Sequence, residues 1–574
     1  MNKLKLSPDK LLLLLIFITF SASTIFWTVA DKTPPAWDPA DHISAGYDYY
    51  APLARLDFKE FYREFFIYPH YYAPFVHLCT AVIMLIFGAS RVTGIGVNLL
   101  SLGVLLYTVN WLCRYLFKDD SNPDEKNRLA MLMGVLASLL AASYHFSAWL
   151  IHDGFLDYPL MVIITVSFAL LLKAGNFQNR KAALWFGLAA GLGMLTKQTF
   201  AFFFALPAIY VSLKILWSRD FKAITNLMLA GLVIVAIASI WYAPHLAEVI
   251  AIYRENQTAA VHENEAPLFS MMSNLFYLHG LLSPQIQVPF ALLFLFGLGY
   301  SLIRHRRESV IPALWILSGI GMFTLVANKD LRYTFPVLPA VAILSVSWVK
   351  DLRLDLKNKS VFALKLAPVA VIAGWAVVSF FNAQYPGEGM GRYLDTPRFR
   401  WMVYGRNYYG FDHRPLNEDW GIPEAIQNIE ADWQARPARS PHPENSNPAT
   451  PQETLSPSTH KVVDSGNTPT VGVVVNLPFL NPSNVALYVR LMTKGRGAPA
   501  LFKVEWLTAE SSKERFADCD YLIMRTGLDE ADWLAPLERH AEQLVKQTPG
   551  TYQRIAALPI PLKNAESVVY RKIQ

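Results

Sequence analysis

Eleven apolar runs constrain this chain before any motif does. They cover about 11–29, 92–112, 129–147, 158–173, 182–196, 199–216, 223–241, 288–303, 310–327, 333–349 and 361–380. A helix needs about 20 mainly apolar residues to cross a bilayer. Within lipid, only helices or a closed barrel satisfy their own backbone groups. The runs therefore predict a polytopic α-helical membrane domain over residues 1–380, with about eleven spans. Charged residues make up 17% of the chain, against about 25% in a typical soluble protein. That deficit ends near Tyr385. The net charge of +6 is modest, and basic residues in such a chain mark cytoplasmic loops rather than nucleic-acid binding. Cys79, Cys113 and Cys519 lie far apart and show no metal spacing.

Lys3, Lys5 and Lys10 precede Leu11-Leu12-Leu13-Leu14-Leu15, and no Ala-x-Ala site follows. This predicts an uncleaved first helix with its N-terminus inside. One further run, Tyr72 to Phe87, sets the parity of every later loop. If it lies at the interface without crossing, Arg304-His305-Arg306-Arg307 and the cluster Lys350, Arg353, Lys357, Lys359 fall inside. The positive-inside rule favours that arrangement. The large outer loops are then 30–91 and 242–287, and the C-terminal part is extracytoplasmic. Loop 242–287 is read evenly as a cap on the bundle or as a cover over a substrate path.

Residues 381–574 are expected to form an extracytoplasmic α/β domain, interrupted by a flexible Pro-, Ser- and Asn-rich segment at 441–470. Strands are predicted at Val471–Val475, Leu501–Trp506, Tyr521–Arg525 and Val568–Arg571, with a helix from Asn484 to Met492. No nucleotide-binding glycine loop follows the first strand.

Ionisable residues at membrane-helix ends need a reason. Four groups fall on the predicted outer face. Asp38, Asp41 and His42 lie in Trp37-Asp38-Pro39-Ala40-Asp41-His42, read as an outer loop. His152, Asp153 and Asp157 sit between the third and fourth runs. Lys197 stands in Leu195-Thr196-Lys197-Gln198, too short for a real loop. Lys329, Asp330, Arg332 and Tyr333 open the tenth run. Asp41, Asp153 and Lys329 fit ordinary solvated loop charges best. Asp157 has a simpler role available, because a carboxylate at a helix start meets exposed N–H groups. Lys197 has none, and a phosphate would offset its desolvation. Cations beside a carboxylate at a membrane surface suit transfer of a group from a lipid phosphate. Lys197 and Arg332 would neutralise the leaving phosphate, and Asp38 would act as base on the acceptor. A single base predicts direct displacement and inversion of a sugar's anomeric centre.

The order of these features resembles the GT-C superfamily of membrane glycosyltransferases that use polyprenyl-phosphate sugars. The nearest likeness is to the protein O-mannosyltransferase-like group, which includes the lipid A aminoarabinose transferases. The family's first-loop carboxylate, usually Asp-Glu, matches Asp38-Pro39, leaving Asp41 and His42 as candidates to compensate for the missing glutamate. Its Tyr-Pro stretch matches Tyr68-Pro69-His70-Tyr71-Tyr72-Ala73-Pro74, with His70 where some relatives have a donor-contacting lysine. Its second carboxylate matches Asp157 in Leu156-Asp157-Tyr158-Pro159, which makes Asp157 a catalytic candidate beside Asp38. Its Gly-Leu-x-x-Leu-Thr-Lys run matches Gly191 to Lys197, and its Arg-Tyr-x-x-Pro-x-x-Pro run matches Arg332 to Pro339. The resemblance implies glycosyl transfer from a polyprenyl-phosphate sugar to an extracytoplasmic glycan, lipid or protein. It leaves sugar, acceptor and metal open. Some relatives use a divalent cation, and His245, His262 and Glu263 are the candidates for one here. Asp153 completes the set of additional pocket residues. The rival readings are a transporter or flippase, whose charges would sit near mid-bilayer, and a non-catalytic envelope-assembly protein.

Overall fold

The computed structural model describes residues 7–68, 72–118, 123–262, 265–352, 359–408, 412–436, 468–493, 501–507, 515–516, 518–526, 543, 545, 551–562 and 564–573. For 123–127, 255–262, 359 and 362 the backbone alone is described. The chain begins with α1 (Pro8–Ala30), followed by α2 (Trp37–Ala54), α3 (Phe58–Phe66), α4 (Phe75–Phe87), α5 (Arg91–Gly94) and α6 (Gly96–Leu116). Then come α7 (Pro123–Ser143), α8 (His145–Asp153), α9 (Asp157–Lys173), α10 (Arg180–Met194), α11 (Phe200–Ser218), α12 (Phe221–Tyr242), α13 (Leu246–His262), α14 (Met271–Gly280), α15 (Val288–Ile303), α16 (Val310–Thr324), α17 (Leu338–Ser345) and α18 (Lys359–Gln384).

Every one of the eleven apolar runs is helical, but fewer helices than expected are full spans. Among the described residues, six stretches are long and apolar enough to cross a bilayer, or eight if two bent pairs each count as one. The bends are 59° between α7 and α8 and 116° between α14 and α15. Among the remaining runs, α9, α10 and α16 have 17, 15 and 15 residues. Apolar content alone does not reveal where a helix ends. Gly154, with φ +79°, terminates α8 in the left-handed region that glycine adopts without strain.

The ambiguous Tyr72–Phe87 run is α4. Its 13 residues rise about 20 Å, well short of a 30 Å hydrocarbon core. Its two ends also return to one face. The Phe75 amide donates to the Leu195 carbonyl at 3.0 Å, where α10 ends. Just past its other end, Arg91 donates to the Asp31 and Thr33 carbonyls at 3.2 and 2.8 Å, where α1 ends. The segment α2–α4 is therefore an excursion along one face. Gly46 keeps α2 close to α4, since a Cβ there would meet the Thr80 side chain at 2.6 Å.

The opposite face is tied by its own pairs. Arg114 bonds Asp9 at 2.8 Å, Arg306 bonds Asp351 at 2.5 Å and Lys350 bonds Glu308 at 2.8 Å. The Tyr115 hydroxyl donates to the Leu172 carbonyl at 3.1 Å. This face carries Arg304, Arg306 and Lys350.

Trp37–His42, expected as loop, is the first turn of α2. Its helical signal lies in buried Ala40, Ile43, Tyr47, Tyr50 and Ala51 at three- and four-residue spacing. Pro39, Gly46 and Pro52 obscured that period.

Past α18, β1 (Arg392–Asp395) and β2 (Arg400–Tyr404) form an antiparallel hairpin, followed by α19 (Ile422–Gln434). A five-stranded sheet follows, of β3 (Thr470–Val473), β4 (Lys503–Trp506), β5 (Tyr521–Arg525), β6 (Tyr552–Pro559) and β7 (Glu566–Lys572), with α20 (Pro482–Met492) after β3. Its order is β4-β3-β5-β7-β6, with β3, β4 and β5 parallel and β6 and β7 antiparallel. The four predicted strands and the helix are present. The hairpin, α19 and β6 were not anticipated. β6 is an edge strand of mixed exposure, so its sequence shows little alternation. The segment 441–470 lies almost wholly outside the described residues.

This C-terminal unit is fastened to the excursion and to α1. Arg490 of α20 makes a bidentate pair with Asp48 of α2 at 2.7 and 2.9 Å. Trp37 Nε1 donates to Asn476 Oδ1 at 2.7 Å. Leu416 N donates to Asp31 Oδ1 at 2.9 Å, and Lys32 N to the Leu416 carbonyl at 2.8 Å. His145 and Asp412, both buried, approach to 2.9 Å.

Candidate functional site

A cavity of about 780 Å³ opens on the face to which α2–α4 returns. Three parts of the chain build its polar wall. The first turn of α2 supplies Asp38. The end of α8 supplies Asp153, on one stripe with Phe146 and Trp149. The turn before α17 supplies Lys329, Asp330 and Arg332. Trp27, Trp37, Phe155 and Phe276 complete an aromatic lining, with Arg91 and Glu265 beside them. His413, Pro478 and Phe479 reach in from the C-terminal region.

Arg332 organises the carboxylates. Its Nη1 donates to Asp38 Oδ2 at 2.8 Å. Its Nε and Nη2 donate to Asp330 Oδ2 at 2.8 and 2.5 Å. Its guanidinium lies 4.2 Å from the Phe155 ring centroid, a stacking that fixes the plane of the fork. Asp330 also accepts from the Arg332 amide at 2.7 Å, which sets the turn. Asp38 remains 38% exposed and lines the cavity.

Lys329 was expected to face water, but it is buried. Its Nζ donates to the Phe323 and Thr324 carbonyls at 3.2 and 2.9 Å. Burial lowers its pKa. Two of the three ammonium donors face those carbonyls, and the side chain lines the cavity. Asp153, likewise expected in solvent, is only 24% exposed. Asp41 is partly buried at the α2–α20 junction. Burial pushes its carboxyl up to about 7, opposed by a hydrogen bond with Ser483.

A second cluster sits beside the cavity. Lys197 Nζ bonds Asp157 Oδ1 at 2.8 Å and lies 5.5 Å from the Tyr333 ring centroid. Asp157 opens α9, so the helix-start role and the ion pair coincide. His42 Nδ1 is 3.4 Å from His77 Nε2, and its ring contacts Tyr72. Burial, with Lys197 and Arg332 nearby, holds the His42 imidazole well below its usual pKa. Arg332 in turn lies within electrostatic reach of both Asp38 and Asp157. The two clusters are one continuous charged network.

The other predicted residues are placed differently. His245 is buried against the Phe65 carbonyl, 2.9 Å from Nε2, and packs on Trp241. It fastens α3 to the end of α12 and lies away from the cavity lining. His70 and Glu263 lie outside the described residues, as does the His262 side chain. Among the described residues no three His, Cys, Asp or Glu side chains converge on a metal position. Sequence reasoning missed Arg91, Trp149, Phe155, His413 and Phe479. Arg91 pairs with Asp31, sixty positions away, and His413 and Phe479 arrive from beyond the last membrane helix. Nothing local in sequence marks such partners.

No family model matches the chain. It is 28% identical over 233 residues to an uncharacterized protein of Aquifex aeolicus (strain VF5), covering 39% of this chain and 44% of that relative. The match thus spans less than half the length of the curated relative. Among solved structures, the chain is similar to ArnT from Cupriavidus metallidurans bound to undecaprenyl phosphate. The TM-score is 0.54 at 14% identity, covering 97% of each chain. The apo state of the same protein matches with a TM-score of 0.53 at 14% identity, covering 98% of each chain. The likeness to ArnT is one of fold, and it extends over the membrane bundle and the C-terminal sheet together.

Proposed function

We propose that this chain transfers a glycosyl group from a polyprenyl-phosphate sugar to an extracytoplasmic acceptor, with inversion and with Asp38 as base. The observation that carries this reading is the Asp38–Arg332 contact in the wall of a large aromatic-lined cavity, beside Lys329, at one membrane face. The matched fold has been solved with a lipid phosphate bound, which suits the same donor class here.

The chemistry follows from the groups present. The acceptor hydroxyl attacks the anomeric carbon and passes its proton to Asp38. The bond from that carbon to the phosphate oxygen breaks, and polyprenyl phosphate leaves with one added negative charge. A phosphate oxygen competing for Arg332 Nη1 would release Asp38 from its ion pair as the donor seats. Arg332 and Lys329 then stabilise the charge that develops on the leaving group. The Lys197 ammonium is held by Asp157, so it acts on phosphate only when that pair exchanges. It otherwise stabilises the network at second hand.

The basic opposite face supports a cytoplasmic N-terminus and an outward-facing cavity. The division into a catalytic membrane domain, 1–380, and an extracytoplasmic domain, 381–574, follows from that orientation. The charged groups lie at helix ends and in connecting turns, whereas a transporter would set its essential charges near mid-bilayer.

The test is donor turnover by the detergent-purified full chain, using a panel of polyprenyl-phosphoryl sugars and a membrane extract as acceptor pool. Release of polyprenyl phosphate from one donor is expected, lost in Asp38→Asn while donor binding persists. Equal release by both proteins would remove Asp38 as the base. Failure to bind any such lipid would overturn the transferase reading itself.

A further inference from the structure

Gln285 lies outside the charged network yet is joined to its centre. It closes a widened π-helical turn, Leu281–Gln285, between α14 and α15, where the chain bends by 116°. Pro284 accounts for the break locally, because it has no N–H to donate and its ring would strike the preceding turn of a regular helix. Widened turns of this kind are frequent at functional sites. Gln285 is fully buried. Its Nε2 donates to the Leu331 carbonyl at 2.7 Å and to the Thr334 hydroxyl oxygen at 3.0 Å. Chemistry fixes the direction of the amide, since the Leu331 carbonyl can only accept. The Oε1 atom is buried and has no hydrogen-bond partner. A buried acceptor without a donor works against stability, so stability alone is a weak reason for an amide at this position.

Leu331 and Thr334 flank Arg332 in the 3₁₀ turn Leu331–Val337. Two bonds from one side chain therefore fix the backbone from which the guanidinium projects. The entry to the turn is held by the same unit. The buried Tyr277 hydroxyl of α14 accepts from the Asp330 amide at 3.4 Å. Gly280 lets the end of α14 approach, since a Cβ there would meet Leu331 Cδ2 at 2.5 Å. The π turn is itself seated from the other side. Ser283 Oγ accepts from the Met402 amide of β2 at 2.8 Å and donates to the Arg400 carbonyl at 3.3 Å. A continuous support runs from β2 through Ser283 and Gln285 to the turn that carries Arg332.

We propose that Gln285 is the positioning residue for Arg332, holding the backbone of its turn so that the guanidinium keeps its orientation when a donor phosphate draws Nη1 away from Asp38. What Arg332 does rests on the transferase reading; the clamp on its turn does not. The side-chain bonds of Arg332 reach Asp330 and Asp38, and the second of these must break as the donor seats. The backbone is what stays fixed through that exchange. A misplacement of about 1 Å can cost about 10² in rate. Gln285 is fully buried and does not line the cavity, so its effect passes through Arg332.

The test is Gln285→Met, which keeps the length and volume of the side chain and removes both donors. The kcat for polyprenyl phosphate release should fall about tenfold or more, with donor KM changed by less than about threefold. Placed on Arg332→Lys, the same substitution should cost no further activity, because a lysine has no planar fork to orient. A structural role independent of Arg332 would make the two losses multiply. Hydrogen exchange gives a readout that needs no turnover. Amides of the Leu331–Val337 turn should exchange about tenfold faster in the variant, with β3 and β5 unchanged. Thr334→Val removes one of the two acceptors, so it should show the same pattern at smaller size, and it decides the matter if Gln285→Met does not fold. An unchanged kcat, losses that multiply, or unchanged exchange in the turn would overturn the proposal. A parent chain without turnover would remove the transferase reading instead, and the exchange result would then decide the clamp by itself.

Discussion

Replacing Arg332 with lysine separates its charge from its geometry. The guanidinium makes three side-chain bonds to two carboxylates, at 2.5 to 2.8 Å, and stacks on Phe155. An ammonium at the same place keeps the charge but offers no planar fork, so it cannot hold Asp38 and Asp330 together in that geometry. These side chains are 22%, 38% and 25% exposed. A partly exposed pair contributes at most ~1 kcal/mol to stability, so the variant should fold. Catalysis is more sensitive. Removing one preorganised donor from a developing oxyanion costs about 10² to 10³ in kcat, or ~2.7–4 kcal/mol. Arg332→Lys should therefore lower kcat by about that factor, with donor KM changed much less because the charge remains. The assay is polyprenyl phosphate release at varied donor concentration, with donor binding measured in parallel. A kcat within threefold of the parent would refute the reasoning. A loss confined to KM would also refute it, because it would make Arg332 a uniform binder of ground and transition states.

Three further outcomes follow from the same geometry. Asp48→Asn breaks one side of the buried pair with Arg490, which is only 9% exposed. It should weaken docking of α20 by about 3 kcal/mol, read as faster hydrogen exchange across α2 and α20 with the membrane helices unaffected. Phe479→Ala removes an aromatic wall contributed by the C-terminal unit, and should raise acceptor KM roughly tenfold, the scale of ~1.5 kcal/mol of lost apolar burial, while donor binding holds. Asp41 ties stability to pH. Its carboxyl is raised to about 7 by burial, from an ordinary value of 3.8. Between those values the unfolded chain is ionised while the folded one keeps its proton, so stability falls as pH rises from about 4 to about 7 and is level above. Asp41→Asn should match the parent near pH 4 and exceed it at pH 8, measured as the unfolding midpoint across that range. An identical pH profile for both proteins would exclude the residue as the source.

How much was legible in advance differs between fold and site. The eleven helical segments follow from apolar run length, because lipid admits little other than self-satisfied helices. The basic clusters predict that the Tyr72–Phe87 run does not cross, and the 13 residues of α4 agree with it. In the C-terminal sheet β3 shows as a short valine run and β5 as the apolar run from Tyr521 to Met524. Asp38, Asp157, Lys197 and Arg332 stand out because a charge at the end of an apolar helix is costly without a partner. In each of these the signal is local, carried by residues a few positions apart.

Partnership was not legible. Sequence placed Lys197 against a substrate phosphate, and the structure gives its ammonium to Asp157. Lys329 and Asp153 read as solvated charges, yet Lys329 is buried and Asp153 is largely covered in the cavity wall. The α2 helix was hidden by its prolines until its buried face met α4 and α20. Arg91, His413 and Phe479 enter the cavity from positions tens to hundreds of residues away. Sequence alone determined that this chain is a bundle of apolar helices with charges at its ends and a small α/β unit behind it. Only the tertiary structure decided which charges meet, which are buried, and which remain open to a ligand. Apolar transfer energies are summed along a run, whereas pairing and desolvation depend on distances that only the packed chain sets.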